Sequence, residues 1–364
     1  MRIKALGLAA GVAGLVLGGV TAATAASAAS AAPAAPHWHI IKTVATNDTG
    51  DFTAVVATGT SGGWAFDGEA AAKGPTAWRL LAGKWTPVAF PGKPDEEVVA
   101  AAAASPTAVY AFDDNVFGTA SRIIGWNGHQ WTTVKSFAAG ITGASVVTAH
   151  DIWVFGYAAA PGIPALGVWH YNGRRWSHVS KTLQGGSALD WNSVWAYNGT
   201  SVDHWNGTKW TSTSVKSLLP AALKSHLNDP TVTGILALSA TSVFAVGNGN
   251  DEDEGGPTVI LHFNGHKWTK VASGQYGFGA GQQLSTDGSG GLWLPMPGVE
   301  SEESYLLHYS AGKLTKATLP VVATKINVSS IARIPGTVDQ LAGGFSHATD
   351  NRGSNVVAAV LEYS

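Results

Sequence analysis

The sequence predicts an all-β fold: a seven-bladed β-propeller of four-stranded antiparallel blades, its ring closed by the N-terminal strand completing the last blade. Three observations carry this. A phrase ending in Trp recurs about every 46 residues, and a second aromatic phrase keeps the same period. The last unit lacks its closing strand, while the chain opens on a closing strand with nothing before it to pair with. Self-similarity at roughly 40–50 residues, with four short strands per unit, marks propeller blades.

The first phrase reads Ile124-Gly-Trp-Asn-Gly-His-Gln-Trp131, Trp169-His-Tyr-Asn-Gly-Arg-Arg-Trp176, Asp203-His-Trp-Asn-Gly-Thr-Lys-Trp210 and Leu261-His-Phe-Asn-Gly-His-Lys-Trp268. Looser copies end at Trp85 and Leu314. From Trp38 onward the closing positions lie 47, 46, 45, 34, 58 and 46 residues apart. The 34 and the 58 average to the common period, so one unit is shortened and the next connection lengthened by the same amount. Asn-Gly between alternating strands requires positive φ at both central residues and marks a tight hairpin, here joining strand C to strand D. The aromatic residue five before the closing position and the apolar one seven before it share one face, as period two demands.

Strand B carries the second phrase: Gly63-Trp-Ala-Phe66, Val109-Tyr-Ala-Phe112, Ile152-Trp-Val-Phe155, Val194-Trp-Ala-Tyr197, Val243-Phe-Ala-Val246 and Leu292-Trp-Leu294. Small-residue runs before it, such as Val98 to Ser105 and Gly234 to Ser239, supply strand A, which lines a propeller's channel. Most of the 15 Trp fall on repeat positions of strands B, C and D and are expected between blades. Each removes about 150–250 Å² from water, an upper estimate of about 4–6 kcal/mol at about 25 cal/mol/Å².

In blade 7, strand C is Val356 to Ser364 and no strand D follows it. The orphan strand D is His37-Trp-His-Ile-Ile-Lys-Thr-Val44. Pairing the two closes the ring and removes an open sheet edge. The expected organisation is therefore a signal peptide over residues 1–28, an Ala/Pro linker over 29–36 and the propeller over 37–364. The leader rests on Arg2 and Lys4, the apolar run Ala5 to Val20, and small-x-small sites at Ala23-Thr-Ala25 and Ala26-Ser-Ala28. No later stretch is long and apolar enough to span a bilayer. A secreted, extracellular, monomeric protein is the expectation.

Composition excludes several classes. With 13% charged residues and 15 Trp the chain is not intrinsically disordered. With no Cys it has no disulfides, thiolate metal sites or thiol nucleophiles. A formal net charge of −2 does not suit a nucleic-acid partner.

The run Ser239 to Gly247, followed by Ile260-Leu-His-Phe-Asn-Gly-His-Lys-Trp268, resembles the Trp-rich propeller repeats of secreted bacterial proteins. The Ala-rich leader resembles actinobacterial ones. The repeat resemblance covers residues 37–364 and implies kinship in fold with kelch, galactose-oxidase and sialidase propellers and with Trp-rich propeller lectins, without their catalytic residues. The copper oxidases of that group use a cysteine-linked tyrosine, which a chain without Cys cannot form. Sialidases use three convergent arginines, whereas only six Arg follow the leader and Arg174 and Arg175 share one turn. Ser285-Thr-Asp-Gly-Ser-Gly-Gly-Leu-Trp293 is similar to an Asp-box, with Ser289 in the turn-glycine place, and is read as an ordinary A–B hairpin turn.

His170, His204, His262 and His308 stand six before the closing position on four blades, too widely spread for one metal, and are read as structural. Asp203 stands seven before Trp210, where the other blades carry apolar residues, and is a candidate ligand contact. The B–C loops and D–A connections share one face, the A–B and C–D turns the other. Of the 24 acidic residues 18 fall on the loop face, while Lys84, Arg174, Arg175, Lys209, Lys267 and Lys313 fall on C–D turns. Such a field concentrates partners of opposite sign. Candidate ligand-binding residues are thus Asp113, Asp114, Asp203, Asp251, Asp253, Glu300 and Glu303, with a candidate Ca²⁺ site at Asp251, Asp253 and Glu254. No other cofactor and no catalytic residue is assigned. Leu218 to Leu227, with Pro220 near its start, reads as a short helix over the channel mouth.

The leading expectation is a non-catalytic binding protein whose acidic loop face takes an extracellular glycan, a cell-envelope component or a basic protein. The alternative is an extracellular polysaccharide hydrolase or lyase with its site at the channel mouth. Strand A argues against the alternative, being mostly Ala, Val, Gly and Ser.

Overall fold

The computed structural model describes residues 35–46, 50–68, 74–115, 117–158, 162, 164–221, 230–249, 256–276, 283–296, 305–321, 326–350 and 353–364. Pro36–Ser364 is one compact unit made of seven four-stranded antiparallel sheets. Each sheet is one blade, its strands in sequence order A to D. The inner strands are Phe52–Gly59, Glu96–Ser105, Gly143–Thr148, Gly185–Asp190, Thr231–Ser239, Ser285–Thr286 and Asn327–Arg333, for blades 1 to 7.

The ring closes as the sequence requires. Blade 7 consists of Asn327–Arg333, Gln340–Asp350, Gly353–Tyr363 and, as its fourth strand, Trp38–Thr46. Trp38 lies opposite Tyr363, and the pairing runs on to Thr46 opposite Val356. Backbone bonds between His37 and Ser364, 3.1 and 3.4 Å, continue the ladder to the chain end.

The closing Trp and the aromatic five before it are direct cross-strand partners: Trp126 with Trp131, Tyr171 with Trp176, Trp205 with Trp210 and Phe263 with Trp268. The strand-B aromatic of one blade packs against this pair on the next. Trp64 lies 4.8 Å from both Trp126 and Trp131, and Trp195 lies 5.0 Å from Phe263 and 5.9 Å from Trp268. At the closure seam, Trp293 contacts Trp38 at 5.4 Å and Tyr363 at 5.3 Å. These largely edge-on geometries suit the ring quadrupoles.

The four repeat histidines stack on the strand-B ring of their own blade. His170 lies over Trp153 at 4.1 Å, His204 over Trp195 at 4.2 Å, His262 over Phe244 at 4.5 Å and His308 over Trp293 at 4.0 Å. Asp151 and Asp287 accept from His170 and His308 at 2.9 and 3.0 Å. The result is an aromatic girdle around the ring.

Neighbouring blades are stitched near the ring axis by side-chain hydroxyls. Thr53 donates to the Val98 carbonyl, Thr142 to that of Gln184 and Tyr197 to that of Thr233, at 2.9, 2.9 and 2.8 Å. Strand A shows a register shift just before the A–B turn in blades 1 to 5. The Asp-box-like segment is a hairpin turn pinned by Asp287, whose Oδ1 accepts from Ser289 N at 2.7 Å and Gly291 N at 2.8 Å.

The blade 4 to blade 5 connection departs from expectation. Lys216–Leu218 forms one 3-10 turn, and Leu219 is extended, with φ −70° and ψ 163°. The cause is local: Pro220 disfavours a helical residue before it, and Leu219 is drawn into the core between the two blades. The rest of the expected helix, 222–227, lies outside the described residues.

Candidate functional site

The loop-face ends of blades 1 and 2 gather five carboxyls. Asp51 precedes strand A of blade 1, Glu96 and Glu97 open strand A of blade 2, and Asp113 and Asp114 end its strand B. Register places Glu97 opposite Asp114 and Glu96 opposite Asn115. Asp113 lies opposite Arg122 on strand C.

The five separate into two groups. Asp113 has no exposed surface, and its Oδ2 accepts from Arg122 at 2.7 Å. The same guanidinium pairs with Glu96 and donates to the Pro91 carbonyl at 3.0 Å. Two carboxylates thus share one buried cation. Burial and the Glu96 charge push the Asp113 carboxyl well above the usual range, against the pull of Arg122.

Beside this clamp lie Asp51, Glu97 and Asp114, all half-buried, with Glu97 and Asp114 on the opposite face of the blade 2 sheet from Glu96 and Asp113. Burial raises Asp51 to about 6, against a 2.9 Å hydrogen bond from Ser329 that lowers it. Burial and the charges of Asp51 and Asp114 raise Glu97 to about 7. Burial raises Asp114 to about 7, against backbone N–H groups of Asn115 and Ile141. Among the described residues no Lys, Arg or His forms an ion pair with any of these three. Near neutral pH Glu97 and Asp114 are close to half-protonated, and a cation brought to them would drive ionisation.

The opposite side of the mouth is small and polar. Thr142, Gly143, Gly185, Gly186, Tyr197 and Gly234 line a cavity of about 40 Å³, with room for a water or two. Between the two sides Gln283, from blade 6, donates to the Val99 carbonyl of blade 2 at 2.6 Å and so bridges the ring axis. Exposed aromatic rings, Phe117 and Tyr157, stand on the B–C loops of blades 2 and 3.

Of the residues singled out from sequence, the structure brings Asp113 and Asp114 together. Asp113 is buried against Arg122, and Asp114 stands with Glu97. Asp203 lies apart, in the middle of strand C of blade 4 and opposite Ala196 and Ser212. Burial raises its carboxyl, against a hydrogen bond with Ser212. Asp251, Asp253, Glu254, Glu300 and Glu303 lie outside the described residues, and the candidate Ca²⁺ site with them. Among the described residues no group of three or more His, Asp or Glu is arranged to hold a metal ion. Sequence reasoning missed Asp51, Glu97 and Arg122 as site residues. Counting outward from the Pro106-Thr107 turn puts the Glu96-Glu97 pair opposite the end of strand B, the one signal that was there to find.

This architecture defines the chain as a seven-bladed β-propeller with an acidic mouth. No protein-family model matches the chain, and no curated protein matches it by sequence. Solved structures resemble it in fold. YCF48 from Cyanidioschyzon merolae superposes with a TM-score of 0.55 at 11% identity, covering 90% of this chain and 98% of that one. YCF48 bound to D1 peptide gives 0.54 at 10%, covering 90% and 96%. The GH74 xyloglucanase from Xanthomonas campestris gives 0.53 at 12%, covering 88% of this chain and 55% of the hydrolase. At these identities the likeness is one of fold.

Proposed function

We propose that this chain is a secreted, non-catalytic binding protein whose acidic mouth takes a basic partner, a protein segment rich in Lys or Arg. One observation carries the reading: Asp51, Glu97 and Asp114 crowd together, and among the described residues no cation forms an ion pair with them. Crowding and burial raise their proton affinity, so an arriving ammonium or guanidinium pairs with the carboxylates and displaces their protons. Phe117 and Tyr157 offer rings for cation–π contact on the same face. A peptide-bound propeller of the same fold supports the reading. The leader pattern in the first 28 residues supports secretion.

The test is calorimetric titration of the full chain, leader removed, with a Lys/Arg-rich peptide and with neutral and acidic peptides of equal length. Selective binding of the basic peptide, weakened about tenfold or more in Glu97→Gln/Asp114→Gln, supports the proposal. Equal binding of all three peptides sinks it.

A second reading has its own observation. A carboxyl near pKa 7 with other carboxyls at hand suits a general acid, and two such groups are the equipment of glycoside hydrolysis. Release of soluble sugars from cell walls, abolished by Glu97→Gln, would put this reading first.

A further inference from the structure

Trp191 breaks the repeat. The A–B turns of blades 1 to 5 have two residues each, and the first is Thr60, Pro106, Ala149, Trp191 or Ala240. Every other Trp sits on or at the end of a blade strand, where the girdle or its flanks account for it. Trp191 is 58% exposed and contributes to none of the buried clusters among the described residues. A small residue serves this turn on the other four blades, so the fold does not call for an indole here.

The turn it packs on is rigid and carries a cation, Lys209. The ring packs on Gly207 of its own blade's C–D turn, where an added Cβ would fall 3.0 Å from Cζ3. Asn206 Oδ1 braces that turn by accepting from Thr208 N at 3.1 Å and Lys209 N at 3.0 Å. The C–D turn of blade 3 is braced alike, with Asn172 accepting from Arg174 N and Arg175 N at 3.1 and 3.0 Å. Arg174, Arg175 and Lys209 are exposed, and none forms an ion pair among the described residues. The acids flanking the A–B turns of these two blades are engaged locally: Asp190 accepts from Asn192 N at 2.9 Å, and Asp151 from Trp153 Nε1 and His170.

We propose that the turn face of blades 3 and 4 is a second binding site, distinct from the mouth, for an acidic glycan. The indole face of Trp191 stacks on the apolar face of a sugar ring. Lys209, Arg174 and Arg175 meet carboxylates along the polymer, the guanidinium forks pairing with them in bidentate fashion. Nucleic acid would also stack on an indole, but its affinity comes from many phosphate contacts. Three cations on a chain of net charge −2 suit a more sparsely charged polymer. With a basic partner at the mouth, the disc would join a protein on one face to an acidic polysaccharide on the other.

The experiment titrates the full chain, leader removed, with polygalacturonate, neutral dextran and single-stranded DNA, following Trp fluorescence and heat. Polygalacturonate should bind, losing about tenfold or more in Trp191→Ala and in Lys209→Glu, with Trp191→Tyr restoring much of the loss. Dextran should bind at least about tenfold more weakly. Because Trp191 is exposed, Trp191→Ala should keep the wild-type melting temperature, and Glu97→Gln/Asp114→Gln should leave polygalacturonate binding unchanged. Undiminished binding by Trp191→Ala and Lys209→Glu would overturn the site. Dextran binding as tight as polygalacturonate, or DNA binding tighter, would overturn the ligand class.

Discussion

Trp153 and Asp114 both lie on strand B of neighbouring blades, one toward the turn end and the other at the loop end. Trp153 is fully buried, stacked on His170, and packed toward Trp205 and Trp210 of the next blade. Asp114 is half-buried among carboxyls with its proton affinity pushed up. In the girdle most blades repeat the same contact, a strand-B ring against the C–D pair of the next blade, so each apolar side chain meets an apolar partner. At the mouth blades 1 and 2 depart from the repeat, and like charges are pressed together. The girdle is built for stability and the mouth carries its cost, which is the pattern expected of a site held in place by a rigid scaffold.

The largest test of the girdle is its closure. Deleting residues 37–44 removes strand D of blade 7, exposes Tyr363 and Trp293, and should unfold the chain or drive edge-to-edge oligomers. Light scattering and circular dichroism read the outcome, and a monomer with an unchanged melting temperature would break the ring-closure account. Within the girdle, Trp64→Ala should cost about 3–5 kcal/mol in denaturant unfolding. At the mouth, Arg122→Met should cost a similar amount, about 3–5 kcal/mol, because it leaves Glu96 and Asp113 buried without their shared cation. A near-neutral Arg122→Met would mean that the clamp does not hold Glu96 and Asp113.

A smaller effect comes with pH. Asp51, Glu97 and Asp114 have folded pKa values of about 6, 7 and 7, raised above their ordinary values near 4. A raised carboxyl stabilises the fold below its unfolded pKa and loses that contribution as pH rises through the folded value. The mouth therefore loses stability as pH rises from about 4 to about 7. His204 and His262, lowered by burial, work in the other direction below about pH 6.5. Comparison with Asp51→Asn/Glu97→Gln/Asp114→Asn isolates the mouth. Relative to that variant, the wild type should lose about 2–4 °C in melting temperature from pH 5.5 to 8. An equal slope in both proteins would remove the raised pKa values from the account. The smallest effect is Trp191→Ala, expected within about 0.5 kcal/mol of wild type, in contrast with Trp64→Ala.

The girdle was legible in the sequence because it repeats. Trp131, Trp176, Trp210 and Trp268 announce strand D, Asn-Gly announces the turn, and Val356 to Ser364 asks for His37 to Val44. The mouth was only partly legible. Asp113 and Asp114 stood out as loop-face acids, but their division of labour depends on which faces Arg122. That is set by register and by the bulge between Val98 and Ala100. Asp203 attracted notice as a charge in an apolar column, yet a hydrogen bond with Ser212 on the adjacent strand accommodates it. The helix expected from Leu218 onward overlooked the constraint Pro220 places on Leu219. Trp191 hid among 15 Trp until its exposure separated it from the girdle.

The central claim is that the mouth carboxyls await a cation. Titrating a Lys/Arg-rich peptide at pH 6.5 in buffers of different ionisation enthalpy measures the protons exchanged on binding. Net proton release, together with affinity that rises as pH climbs from 5.5 to 8 and is flattened in Glu97→Gln/Asp114→Gln, is the predicted result. Binding with no proton exchange and a pH-independent affinity would contradict it.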